Sequence, residues 1–269
     1  ASAADSPKET DLPSPGEPVT RVVALGASNL TLGLQSLVST ARGAFGPEVE
    51  VLAALGYGRS YGADSTIAIR RLPGILQSGI WRDLEHLERA PTRGLITDVG
   101  NDILYGFPAP RILAWVEEAA DRLLAHTKDV VLTDLPVHSI RRLSPTAFLF
   151  FRTLFFPPCR LSREQVFDTV AEVNAGLAGI AAGRSLRLVR LNPAWYHHDP
   201  IHIRPRTWRT AWREILIGDS GPDVATSFSA FEWARLHTLP PDRRFLMGIE
   251  RCAPQGTRRL RNGCRLSLY

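Results

Sequence analysis

Five short aliphatic runs recur along this chain, nearly all followed by stretches with helical spacing, and this alternation limits the fold more than any other feature. The runs are Val22–Leu25, Val49–Ala53, Gly94–Val99, Val130–Asp134 and Leu186–Leu191. Between them lie Leu32–Gly43, Ala63–Gln77, Pro110–His126 and Arg163–Ala182. In the third of these, Ile112, Trp115, Val116, Ala119, Leu123 and Leu124 share one helical face. Strands that are continuously apolar suit a parallel sheet buried on both faces. Helices alternating with such strands form βαβ units that cover both faces. The length of 269 residues fits one large α/β domain or two small ones, and a hydrophobic content of 44% is enough for a full core.

After the fifth run the spacing predicts a helix through Trp208, Trp212, Ile215 and Leu216, and another near Val224–Leu236. Residues 1–19 hold four prolines and no apolar period, and we expect a disordered leader there. The main domain is expected over 20–239, followed by a basic β-hairpin extension over 240–269 with its turn at Asn262-Gly263. That extension carries seven arginines against Asp242 and Glu250, so 7 − 2 gives the whole net charge of +5. The first 239 residues balance, 25 basic against 25 acidic, and any role for net charge belongs to the C-terminal segment.

Three cysteines without a C-x-x-C pattern argue against a zinc site or a disulfide framework, though a Cys252–Cys264 bridge is open. No apolar run reaches a transmembrane length and no signal peptide is legible, so a soluble protein is expected, cytoplasmic in preference to secreted. The segment around Phe148, Phe150, Phe151, Phe155 and Phe156 breaks the βαβ pattern. Ser144-Pro145 predicts a helix start, and Pro157-Pro158 a stop. A helix apolar all round is buried, or, near a strand's C-terminal end, forms a lid, an acyl pocket or a lipid-touching flap over 145–156.

In an open parallel sheet, ligands bind beyond the C-terminal ends of the strands. The first strand delivers Gly26-Ala27-Ser28-Asn29 there, the second Gly56, Gly58 and Gly62, the third Gly100-Asn101-Asp102, and the fifth a loop with Asp199 and His202. Each has an ordinary reading. Ser28 can cap a helix, the glycines can make a turn, Asn101 can close an Asx-turn, and Asp199 and His202 can lie on a surface loop. Together, at one rim, they are what acyl transfer needs: a hydroxyl, a base, an acid to orient it and donors for an oxyanion. A G-x-S-x-G elbow is ruled out by Leu30. Adjacent histidines such as His197 and His198 usually point apart on an extended loop, and no nearby Cys or Glu completes a tetrahedral set, so no metal and no cofactor is expected. His138, after the fourth strand, is open to a pocket role or a structural one.

These blocks resemble the SGNH (GDSL-type) hydrolase superfamily over roughly 21–218: "GASN" the first block, "GYGRS" the second, "GND" at 100–102 the third and "DPIH" at 199–202 the fifth. Ala27 stands where the family usually has aspartate. The resemblance implies a three-layer α/β/α, flavodoxin-like, five-stranded parallel sheet, to which the C-terminal residues are expected to add a small β appendage. It further implies a carboxylic ester hydrolase with a Ser28–His202–Asp199 triad and an oxyanion hole from Ser28, Gly58 and Asn101, with Gly56 as the fallback for Gly58. The implied partner is a small-molecule ester. The alternative is a non-catalytic scaffold whose arginine-rich tail grips an anionic partner. Nucleic acid is disfavoured, because Phe245 and Tyr269 alone make a poor stacking platform.

Overall fold

The strand β1 (Arg21–Leu25) is buried at every residue, and its side chains divide by parity. Val23 and Leu25 enter a core on one face of the sheet, Val22 and Ala24 a second core on the other. A strand buried on both faces gains nothing from polar alternation, which is why its sequence reads as an unbroken apolar run. This is a computed structural model, described for residues 20–156, 159–197, 199–218, 221, 224, 228–256, 258–260 and 263–269. The expected leader over 1–19 and Asn262 of the expected turn lie outside the described residues.

The elements after β1 are α1 (Ser28–Phe45), β2 (Glu50–Ala54), β3 (Ser65–Ile67), β4 (Arg70–Leu72), α2 (Ile80–His86), β5 (Thr92–Ile96), α3 (Asn101–Leu104) and α4 (Ala109–Leu124). Then follow β6 (Val130–Thr133), α5 (Val137–Arg141), α6 (Pro145–Phe155), α7 (Arg163–Arg184), β7 (Arg187–Val189), α8 (Trp208–Ile217), α9 (Ala230–Thr238), β8 (Arg243–Leu246), β9 (Ile249–Cys252) and β10 (Arg265–Leu268). The main sheet has the order β10-β2-β1-β5-β6-β7, with every neighbouring pair parallel. Without β10 this is the doubly wound order 2-1-3-4-5. Helices α2, α4 and α7 pack on one face, α1 and α8 on the other, so the molecule is a three-layer α/β/α sandwich. The last two approach closely: a Cβ on Gly33 of α1 would lie 1.8 Å from the Trp212 ring nitrogen.

Two expectations need correction. The parallel sheet has six strands rather than five, because the C-terminal segment is divided between two sheets. β10 pairs with β2, Leu266 against Val51, and is buried from Leu266 onward. β8 and β9 instead join β3 and β4 in a separate antiparallel sheet. The helix predicted over Ala63–Gln77 is absent: the span holds β3, β4 and a 3-10 turn at Ile75–Gln77. Ala68 takes a left-handed φ of 53° between the two strands, and Arg70 and Arg71 pair with Leu246 and Phe245 from far along the chain. Strand preference here follows from that distant partner and not from local spacing.

Local signals elsewhere match the structure. Ser144 caps α6 by accepting from the Ala147 N–H, with Pro145 in the first turn. Ser162 and Gln165 form a capping box on α7. Cys159, Cys252 and Cys264 are all free thiols, so the Cys252–Cys264 bridge is not formed. No described helix is long and apolar enough to cross a membrane.

Candidate active site

The site is built where β1 ends. Ser28 is the first residue of α1, and Ala27 before it offers no side-chain cap. The exposed amides at this helix start are met from β5's end instead. The Asp98 carboxylate accepts from the Ala27 N–H at 2.9 Å, the Leu30 N–H at 3.0 Å and the Asn29 side-chain amide at 2.8 Å. Asp98 itself sits at φ 59°, a left-handed conformation that a short polar side chain tolerates. The capping role open to Ser28 is therefore taken by Asp98, and the Ser28 hydroxyl is left for another partner.

That partner is His202. The Ser28 Oγ lies 3.0 Å from His202 Nε2, and His202 Nδ1 lies 2.6 Å from Asp199 Oδ2. A carboxylate accepts only, so Nδ1 carries the proton and Nε2 accepts from the Ser28 hydroxyl. Burial would raise the Asp199 carboxyl, but the His202 hydrogen bond and charge, with the Ile201 and His202 amides, hold it below the usual carboxylate range. Its other oxygen accepts those two amides at 3.0 and 3.1 Å, which fixes the loop around the pair.

Asn29 fastens this loop to the serine turn. Its Nδ2 donates to the Ile201 carbonyl at 2.9 Å and its Oδ1 accepts from the Ile203 N–H at 2.7 Å. Neither Asn29 nor Asp98 is among the sequence-predicted site residues. The signal available for each was position: one follows the serine directly, and the other is a charged residue immediately past a buried strand.

The second and third loops are tied to each other. Asn101, at the start of α3, donates to the Arg59 carbonyl at 3.3 Å, and the Tyr105 hydroxyl donates to the Gly58 carbonyl at 2.7 Å. Asp102 is fully buried and accepts from the Tyr61 N–H at 3.0 Å. Burial pushes its carboxyl up to about 6, against the Ser60 hydroxyl and the Tyr61 amide. Gly58 has φ 61°, which disfavours a side chain, and a Cβ there would also displace the end of Ile67, whose Cδ1 would lie 2.8 Å away.

A cavity of about 860 Å³, its open mouth included, starts at Ser28. Asn29, Asp98 and Asn101 line its polar end, and Ile103, Leu135, Ile140, Leu143, Phe148 and Val166 its apolar wall. Gly58 and Gly56 are not in that lining; Gly56 lines a separate small cavity beside Tyr57 and His237. His138 belongs to a third, more polar groove with Asp134 and Arg190, which meets the first only across Leu135 and Pro136. Of the Phe-rich segment, Phe148 and Phe156 face the Ser28 cavity while Phe150 is exposed. The side chains of Phe151 and Phe155 lie outside the described residues. Among the described residues no three His, Cys, Asp or Glu side chains are placed to hold a metal ion.

No family model matches the chain, and no curated protein matches it. Solved structures do. The chain is similar to the psychrotrophic esterase EstA from Pseudoalteromonas sp., at 13% identity and TM-score 0.44, over 73% of this chain and 93% of that one. It is similar to a member of the lipolytic protein G-D-S-L family from Veillonella parvula DSM 2008, at 11% identity and TM-score 0.45, over 73% and 96%. It is similar to TesA at 16% identity and TM-score 0.44, over 73% and 95%.

Proposed function

We propose that this protein is a serine hydrolase of carboxylic esters, of the SGNH (GDSL) type, with Ser28 as nucleophile. The observation that carries the reading is the hydrogen-bonded chain Ser28–His202–Asp199, at 3.0 and 2.6 Å, opening into an apolar cavity. His202 Nε2 takes the hydroxyl proton as Ser28 Oγ bonds to the ester carbonyl carbon. Asp199 holds the imidazole in the productive tautomer and balances its positive charge. The imidazolium then returns that proton to the departing alkoxide as the ester C–O bond breaks. A water repeats the sequence on the acyl-enzyme and releases the acid. The chemistry draws on no cofactor.

Charge on the carbonyl oxygen is met by the Ser28 N–H at the positive end of α1, the Asn101 side-chain amide and the Gly58 N–H. Asn101 supports this assignment because it lines the cavity beside Ser28. Gly58 is supported by its loop, which Asn101 and Tyr105 hold at the rim.

Incubation with a fluorophosphonate followed by peptide mapping tests the reading, together with aryl-ester turnover of wild type and Ser28→Ala. The adduct is expected on Ser28, and turnover is expected to fall at least a thousand-fold in the variant. An unlabelled Ser28 with equal turnover in the variant sinks the proposal.

A further inference from the structure

We infer that the Ser28 cavity takes an acyl chain ending in a carboxylate, and that Arg152 selects it; this rests on the hydrolase reading above. Among the described residues Arg152 is the one cation lining this otherwise apolar wall. It lies one turn after Phe148 on the inner side of α6, whereas Leu149 and Phe150 between them are 52% and 60% exposed.

The guanidinium is fixed but not neutralised. Its Nη1 donates to the Leu161 carbonyl at 2.8 Å, and its carbon lies 6.0 Å from the Phe148 ring centroid. Among the described residues no carboxylate lies within ion-pair distance, and Nε and Nη2 make no hydrogen bond. Among the described residues the one carboxylate in the cavity lining, Asp98, is occupied by three N–H donors.

Arg152 is half-buried, so its charge keeps part of its hydration, and a carboxylate in the cavity would supply the counter-ion the wall lacks. Nε and Nη2 form the edge of the guanidinium that meets a carboxylate with two parallel hydrogen bonds. With Nη1 held on Leu161, that edge has no protein partner among the described residues. The apolar residues between Ser28 and α6 suit methylenes. A chain esterified at one end and ionised at the other satisfies both features of the wall.

The test compares kcat/KM for p-nitrophenyl hexanoate and for the p-nitrophenyl hemiesters of adipic and suberic acid, using wild type, Arg152→Gln and Arg152→Lys. Wild type is expected to prefer a hemiester over the neutral ester. In Arg152→Gln that preference should fall at least tenfold, through KM, and Arg152→Lys should restore part of it. The quantity read is the ratio of the two kcat/KM values. Loss of the Leu161 tether alone would lower both and leave the ratio in place. No wild-type preference, or a ratio unmoved by Arg152→Gln, overturns the inference. So does an Arg152 dependence confined to hexanoate esters with a sulfonated aryl leaving group, which puts the anion on the alcohol side. Absence of turnover on every ester instead defeats the hydrolase reading. Calorimetric binding of free adipate to wild type against Arg152→Gln then decides the anion site by itself, with equal binding overturning it.

Discussion

The rim around Ser28 and the wall formed by α5, α6 and α7 enclose the same cavity but are held in opposite ways. At the rim, side chains from three loops are locked to one another, and to the backbone of a fourth, by hydrogen bonds spanning up to 174 residues of sequence. The wall comes largely from one continuous stretch, Leu135 to Val170, and packs apolar side chains with little directional bonding. Hydrogen-bonded geometry fails abruptly when one atom is removed, while apolar packing degrades with the area lost. Chemistry should therefore be brittle at the rim, and selectivity gradual at the wall.

The largest effect that would sharpen this contrast is expected at Asn101. Asn101→Ala should lower kcat on a short aryl ester roughly a hundred- to a thousand-fold with the fold intact by circular dichroism, as loss of an oxyanion donor does. A loss under threefold would remove Asn101 from the oxyanion hole. Next comes Asp98→Asn, which keeps a residue tolerant of the φ of 59° but replaces one carboxylate acceptor by a donor, so that either the helix amides or the Asn29 side-chain amide meet a donor. A displaced Ser28 should cost roughly a hundred-fold in kcat with KM little changed. If KM rises and kcat holds, Asp98 contacts substrate rather than positioning the serine. The smallest effect belongs to the wall. Phe148→Ala should lower kcat/KM roughly tenfold for a hexanoyl ester, in keeping with about 1.5 kcal/mol of lost apolar contact, and less for an acetyl ester. Equal losses on both esters would mean that α6 supports the rim, and the contrast between the two regions would break.

Much of the rim was legible in the sequence because strand ends announce themselves. Ser28, Asn101, Asp199 and His202 each follow an apolar run, and the doubly wound topology brings such loops to one edge. Asn29 and Asp98 were not legible, since each acts on a loop remote in sequence: Asp98 on the start of α1, Asn29 on the turn around His202. Asp98 is the physical answer to the alanine at position 27, where the resemblance led one to look for an acid. The carboxylate at this turn arrives from the neighbouring strand. Gly58 was singled out in the sequence only through the resemblance, with Gly56 as its fallback, and the structure adds that Gly58 sits at a φ of 61°.

The sequence by itself determined the parallel α/β/α sheet, the helix start at Ser144, and the strand-end loops that bring Ser28, Asn101, Asp199 and His202 to one rim. All of these follow from interactions within a few residues, or from a burial pattern that each strand shows alone. Only the tertiary structure decided that Arg265–Leu268 closes the edge of the main sheet beside β2, and that 65–72 forms strands to pair with β8. It also decided that Asp98 caps the helix of Ser28, and that Arg152 stands without a carboxylate among the described residues of an apolar wall. Each of those depends on which distant groups share a neighbourhood. Local spacing does not encode that: backbone pairing, desolvation and charge balance are settled only when the chain has closed around them.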